Sequence, residues 1–374
     1  MTWEAYRAAI DGVIWLTACA LHGTVPDAER VSGMDLSDLL AAAGKHQLTA
    51  AVGMALQDAG IRDGPFAQAV AKAQRKSALL DADSAALYAQ LERMGIWYMP
   101  LKGAVLKSLY PRYGMREMAD VDVLVDPRRA KDVRIVMESL GFSSTSFGRG
   151  NHDVYRKPPV SHFEIHTALF SPVRYPELSR YYLDVKSRLV KDEGNRCGWH
   201  FRPEDLYIHI TAHEFKHYNG GGTGLRSLAD MYLLLKKAGD SLDFDYIVAE
   251  TEKLGIAAFE RQNRSLAAHL FDGAPLTAGD REMLEYMIRS GTYGTVGQRV
   301  EKGVKKLGGG VKGKARYLLR RVFLPMASVR ISYPFFDRHR ILLPFLCLYR
   351  ISRGLLRHPK MIRSELRALM KHKK

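Results

Sequence analysis

The stretch "IWYMPLKGAVLKSLYPRYGMREMADVDVLV", residues 96–125, decides the fold. It opens on an apolar run, 96–101, that reads as a short strand. Lys102-Gly103-Ala104 follows, then apolar residues at helical spacing until Pro111 interrupts them. It closes on a second apolar strand, with Asp120 and Asp122 at its head. Strand alternation sends both carboxylates to one side. Acids beside a core are costly to desolvate. Either a cation neutralises this pair or a turn keeps it wet.

Upstream, residues 1–94 read as helical. The segment 34–60 carries apolar residues at helical spacing and ends in Gly60. The segment 65–95 has Pro65 near its start and Gly95 at its end, the usual signals for helix boundaries. Downstream, 127–142 reads as a helix and 162–170 begins with strand alternation, Phe163 and Ile165 on one face, Glu164 and His166 on the other. From about 178 the chain turns helical again, with a glycine-rich loop at 220–222 between two helices. Residues 305–314 read as a flexible basic linker, and Pro325, Pro334, Pro344 and Pro359 cut the last 60 residues into short pieces. The expected class is α+β: a small mixed-sheet core, 95–175, between an N-terminal helical region, 1–94, and a helical domain, 176–298, with a basic extension, 299–374.

Composition narrows the function classes. Cys19, Cys197 and Cys347 are odd in number and far apart, so neither a disulfide framework nor a C-x-x-C zinc site is suggested, and a reducing cytoplasm fits. Glu4 and Asp11 interrupt the first apolar segment, which reads as an amphipathic helix and not as a signal peptide. No run reaches the ~18 apolar residues that span a bilayer. The net charge of +16 lies in one place: residues 299–374 hold 21 Lys and Arg against Glu301, Asp337 and Glu365, while the first 298 residues are close to neutral. Such a block suggests a polyanionic partner, nucleic acid, an anionic membrane surface or a phosphorylated substrate; a solvated helical tail is the plain alternative.

Three features fall in a telling order. A strand runs into Lys102-Gly103, where free N–H groups at a helix start favour an anion such as phosphate. Asp120-x-Asp122 then offers hard oxygen ligands suited to Mg²⁺. Glu164, on a later strand, completes three carboxylates. Singly each is weak, since D-x-D is more often a turn or a cap and K-G more often a turn. In this order they are much more specific.

The segment "GIWYMPLKGAVLKSLYPRYGMREMADVDVLV" resembles the uncharacterised bacterial nucleotidyltransferases of the polymerase-β-like superfamily, with their L-K-G…D-x-D core. "HFEIHTAL" resembles that group's third-carboxylate strand, and the H-x-x-x-H…L-R…D segment and the C-terminal pattern are similar as well. The resemblance implies Asp120, Asp122 and Glu164 as catalytic metal ligands for a two-ion Mg²⁺ site. It puts Gly103 against the triphosphate of an NTP such as ATP. The phosphate-contacting serine of the superfamily is Ala104 here, and Lys102 stands beside it as a compensating cation. Arg116 is open between a phosphate contact and an ion pair with a local acid, and His166 shares the face of Glu164.

His209, His213 and His217 recur every four residues on one helix face; a structural or pocket face is favoured over a metal site. Arg226 and Asp230 are spaced for an i,i+4 ion pair. The leading function is Mg²⁺-dependent transfer of an NMP to a hydroxyl of an unidentified small molecule, sugar or protein, in the cytoplasm or at a membrane periphery. The alternatives are a toxin-like enzyme acting on tRNA ends and a non-catalytic scaffold docked on a membrane surface. A retired site would have no need of a repulsive carboxylate cluster.

Overall fold

The computed structural model describes residues 1–371. Their contacts divide the chain into two units. The first comprises residues 1–215 and 224–288; the second comprises 216–223 and the chain from Arg289 on.

The first unit opens with α1 (Trp3–His22), α2 (Ala28–Ser32), α3 (Leu36–His46), α4 (Thr49–Asp58) and α5 (Gly64–Arg93). Thr2, Asp27, Asp35 and Asp63 each accept a backbone N–H at a helix start, satisfying donors the helix cannot. The apolar spacing of 34–60 conceals a break. Gln47 takes a left-handed conformation, φ 55°, and separates α3 from α4. The long α5 has Pro65 in its first turn and is followed by Gly95 at φ 63°.

Next come β1 (Tyr98–Leu101), α6 (Gly103–Leu106), β2 (Val121–Val125), α7 (Ala130–Ser139), β3 (Ser143–Ser146), β4 (His152–Lys157) and β5 (Ser161–His166). The helix expected after Lys102 is only these four residues and one 3-10 turn, 107–109, so little dipole builds up there. The strands form one mixed sheet, ordered β1-β2-β5-β4-β3. The β2–β5 pair is parallel and the other pairs are antiparallel.

Alternation divides the labour of this sheet. Val121, Val123, Val125, Tyr155, Phe163 and Ile165 point to one face and pack on Leu80, Leu87 and Leu91 of α5 and Val133, Val136 and Met137 of α7. Each fully buried side chain of this kind is worth about 1.5–3 kcal/mol. The core on that face leaves the other free to carry charge. Asp126 ends β2 and accepts the N–H of Arg128, capping the turn that leads into α7.

The region after 178, read as wholly helical, also contains a hairpin. After α8 (Pro176–Tyr181), β6 (Leu189–Lys191) pairs with β7 (Trp199–Phe201). Three-residue strands are too short to show a period of two. Helices α9 (Pro203–Gly220), α10 (Leu225–Ala238), α11 (Phe244–Lys253), α12 (Ala257–Asp272) and α13 (Ala278–Ser290) follow.

The later chain holds α14 (Val296–Lys306), α15 (Gly310–Val322), α16 (Met326–Ser332), α17 (Pro334–Arg338), α18 (Leu343–Arg357) and α19 (Pro359–Lys371). The expected linker at 305–314 is almost all helix. Only 307–309 lies between α14 and α15, where Gly308 and Gly309 supply the positive φ that lets one helix turn into the next. Pro334, Pro344 and Pro359 fall in the first turns of their helices, where a missing N–H costs nothing. Val300 and Val304 of α14 pack on Leu369 of α19. Among the described residues no helix is long and apolar enough to cross a membrane.

Candidate functional site

The charged face of the sheet is assembled by register. Asp122 stands opposite Leu101 on one side and opposite Glu164 on the other. His166, two residues beyond Glu164, stands opposite His152 on β4. Partners in register share a face, so Asp122, Glu164, His166 and His152 converge. At the end of β1 the chain turns sharply at Lys102, whose φ of 47° and ψ of −115° lie outside the allowed regions for a side-chain-bearing residue. Strain of this kind persists where surrounding structure holds it.

The Lys102 Nζ donates to Asp122 Oδ1 over 2.7 Å, and His166 Nε2 lies 2.8 Å from the same oxygen. An ionised carboxylate can only accept, so His166 carries its proton on Nε2. Its Nδ1 is buried with no hydrogen-bond partner. Burial pushes the Asp122 carboxyl up, but Lys102 and His166 outweigh it and hold the group well below the usual carboxylate range. The Glu164 carboxyl is drawn down by its contact with His166, against its burial. Its Oε2 lies 3.6 Å from His166 Nε2 and 3.7 Å from His152 Nε2. The His152 ring is pushed down by burial, against the pull of Glu164.

Asp120 sits one residue before β2. Burial raises its carboxyl, and the negative charges of Asp122 and Glu164 raise it further, while Lys102 and His162 pull the other way. The three carboxylates therefore share one electrostatic field. Lys76 of α5 adds a second ammonium, donating to the Ala119 carbonyl over 2.9 Å and feeling the charge of Asp120. Lys76, His152 and His162 were not among the sequence candidates. His152 could have been found from the alternation of β4, had its pairing with β5 been known.

Arg116 is buried and grips a carboxylate from far away. Its Nε and Nη2 donate to Asp230 of α10, each over 2.7 Å, and Tyr110 donates to the same carboxylate over 2.8 Å. Asp230 thus draws its partners from the loop before β2, where helical spacing had suggested Arg226. Arg226 donates to the Glu117 carbonyl over 2.8 Å. Gly103 is explained by this packing: a Cβ there would come within 2.6 Å of Arg116 Nη1 and 3.0 Å of the Met118 methyl. His209 is packed among the rings of Phe170, Tyr182 and Phe201.

The donor set fits a divalent cation. Ligand atoms of His152, Glu164 and His166 lie within 4.8 Å of one another. Asp120 and Asp122 lie outside that group, although the charges of Asp122 and Glu164 act on Asp120. Carboxylates suit Mg²⁺ or Mn²⁺, and the imidazoles tilt the set toward Mn²⁺ and other transition ions.

The chain was compared with known proteins. No curated protein matches it. A solved structure, an antigenic nucleotidyltransferase-like protein from Paracoccidioides brasiliensis, is similar at 16% identity over 54% of this chain and 96% of that one, with a TM-score of 0.34. The family model for an uncharacterised nucleotidyltransferase matches residues 32–272, which span the N-terminal helices from Ser32, the whole sheet and the helices through α12. By that match the chain belongs to the uncharacterised nucleotidyltransferase family.

Proposed function

We propose that this protein transfers a nucleoside monophosphate from an NTP to a hydroxyl of an acceptor, releasing pyrophosphate. The observation that carries the reading is the register pairing of Asp122 with Glu164, with Asp120 beside them and Lys102 reaching in from the neighbouring strand end. Family membership supports it.

A divalent cation held by Asp120, Asp122 and Glu164 would neutralise charge on the triphosphate and on the departing pyrophosphate. Lys102 is placed to bind a phosphate oxygen when Asp122 no longer needs its ammonium. His166 orients Asp122 through the Nε2 hydrogen bond and also leans on Glu164. Glu164 is more open to solvent than Asp122, with side chains 23% and 8% exposed, so it faces the space an acceptor would enter. There it can accept the proton of the attacking hydroxyl. The new bond joins acceptor oxygen to the α-phosphorus, and the bond from that phosphorus to the β-phosphate oxygen breaks. Arg116 and Asp230 hold the loop that aims Asp120 and take no part in the chemistry.

The test is incubation with α-labelled NTPs, Mg²⁺ or Mn²⁺, and cell extract. The wild-type chain should label one fraction, and Asp122→Asn should cut that labelling by on the order of 10²–10³-fold. Equal labelling by both proteins would remove the proposal.

A further inference from the structure

The later helices expose what a folded chain normally hides. Of the 26 large hydrophobic side chains exposed among the described residues, 16 lie between Val311 and Met370. Among the described residues from Arg289 onward, the buried hydrophobics are Val300, Val304, Val329, Leu346 and Leu369. From Val311 to Met370 the chain buries three hydrophobic side chains and exposes sixteen large ones, and such a segment is folded for a second solvent. The same segment carries the whole positive excess of the chain, 21 Lys and Arg against three acids from 299 onward.

The two properties are interleaved. In α18, Phe345, Leu348, Ile351 and Leu355 recur at intervals of three and four and are exposed. Arg353 and Arg357 flank that stripe, and the Arg353 guanidinium reaches over the Tyr349 ring at 6.0 Å. In α15, exposed Leu318 and Leu319 are followed at once by exposed Arg320 and Arg321. Interfacial helices have this form: apolar chains enter the acyl boundary while basic chains stay at the headgroups.

We propose that α15–α19 form a docking surface for an anionic lipid bilayer. Charge complementarity selects the occupant. A second copy of this chain would bring the same positive charge against itself. RNA would satisfy the arginines, but of the sixteen exposed side chains only Phe323, Phe335, Phe345 and Tyr349 are aromatic, and the other twelve are aliphatic. Aliphatic chains gain nothing from stacking on bases. They gain from a bilayer, where a basic patch and an apolar face together give the two signals that stable attachment needs.

The experiment is co-sedimentation of the full chain with vesicles of phosphatidylglycerol and phosphatidylcholine, against vesicles of phosphatidylcholine alone, at 0.1 M salt. Partition should be at least tenfold stronger with the anionic vesicles. The Arg353→Glu/Arg357→Glu variant should lose about fivefold or more per substituted charge. The Leu348→Ser/Leu355→Ser/Leu356→Ser variant should lose at least tenfold and bind only at low salt. All these positions are exposed, so both variants should melt with the wild type. Equal partition onto both vesicle types, or none onto either, overturns the proposal. So does binding of tRNA without binding of vesicles, or a self-association that the leucine variant abolishes while vesicle binding persists.

Discussion

Lys102 and Asp122 meet across the first two strands of the sheet, with 2.7 Å between ammonium and carboxylate and both side chains nearly buried. The ammonium does for Asp122 what a bound cation would do. Removing it by Lys102→Met leaves the buried carboxylate to the His166 hydrogen bond. The variant should lose about 1–3 kcal/mol of stability in EDTA. Millimolar Mn²⁺ or Mg²⁺ should return much of that loss. Urea midpoints with and without divalent ions measure both effects. A deficit untouched by the ions would mean that Asp122 is not a cation ligand.

The bidentate pair Arg116–Asp230 joins the loop before β2 to α10, across 114 residues of sequence. Asp230→Asn would leave a buried guanidinium without its counter-charge, at a cost of about 3–5 kcal/mol. Because Tyr110 donates to the same carboxylate, Tyr110→Phe should cost less, about 1 kcal/mol. Denaturation curves of the two variants rank them. A milder effect for Asp230→Asn than for Tyr110→Phe would contradict the pairing.

These residues show what the sequence could and could not reveal. That Lys102, Asp122 and Glu164 come together was legible from local rules: strand alternation, a strand–helix junction and their order along the chain. The partner of Asp230 was not. Helical spacing offered Arg226, four residues away, but tertiary packing brought in Arg116 instead. His152 was hidden for the same reason, since its place beside His166 depends on how β4 pairs with β5. The glycines at 308–310 suggested a linker by composition, yet three residues suffice to reverse the chain between two helices. The short β6–β7 hairpin left no periodic trace.

Gly103 is held to glycine by close packing. Alanine there would press a methyl within 2.6 Å of Arg116 Nη1, and that guanidinium cannot retreat while it grips Asp230. Gly103→Ala should destabilise by about 1–3 kcal/mol. In an Arg116→Lys background the penalty should shrink, because the colliding atom is gone. A double-mutant cycle on urea stability gives the coupling. Additive costs would place the strain elsewhere.

His152 and His166 set two imidazole nitrogens beside the Glu164 carboxylate. His152→Ala should weaken Mn²⁺ binding by about 10–100-fold and Mg²⁺ binding much less, because Mg²⁺ gains little from imidazole. Titration of free Mn²⁺ by electron paramagnetic resonance reads the first, and calorimetry the second. Unchanged Mn²⁺ affinity would exclude His152 from the coordination sphere.

His46 sets a pH dependence from among the helices of the first unit. It is fully buried, its Nδ1 accepts the Leu225 N–H over 3.2 Å, and its Nε2 lies 2.9 Å from the Tyr6 hydroxyl, which donates to the Ile288 carbonyl. With Nδ1 accepting, the proton sits on Nε2 and the ring is neutral. Burial, helped by the neighbouring charge of Lys45, pushes its pKa down to about 3. The unfolded chain takes up a proton near pH 6.5 and the folded chain does not. The stabilising contribution is therefore complete above 6.5 and is lost as pH falls toward 3. Between pH 6.5 and 5, before most carboxylates titrate, stability should fall with a slope approaching about 1.4 kcal/mol per unit. In His46→Gln, which has no ionisable ring but can still accept and donate, that slope should flatten. Urea unfolding of both proteins across this window decides it, and parallel curves would show that His46 does not govern the acid limb.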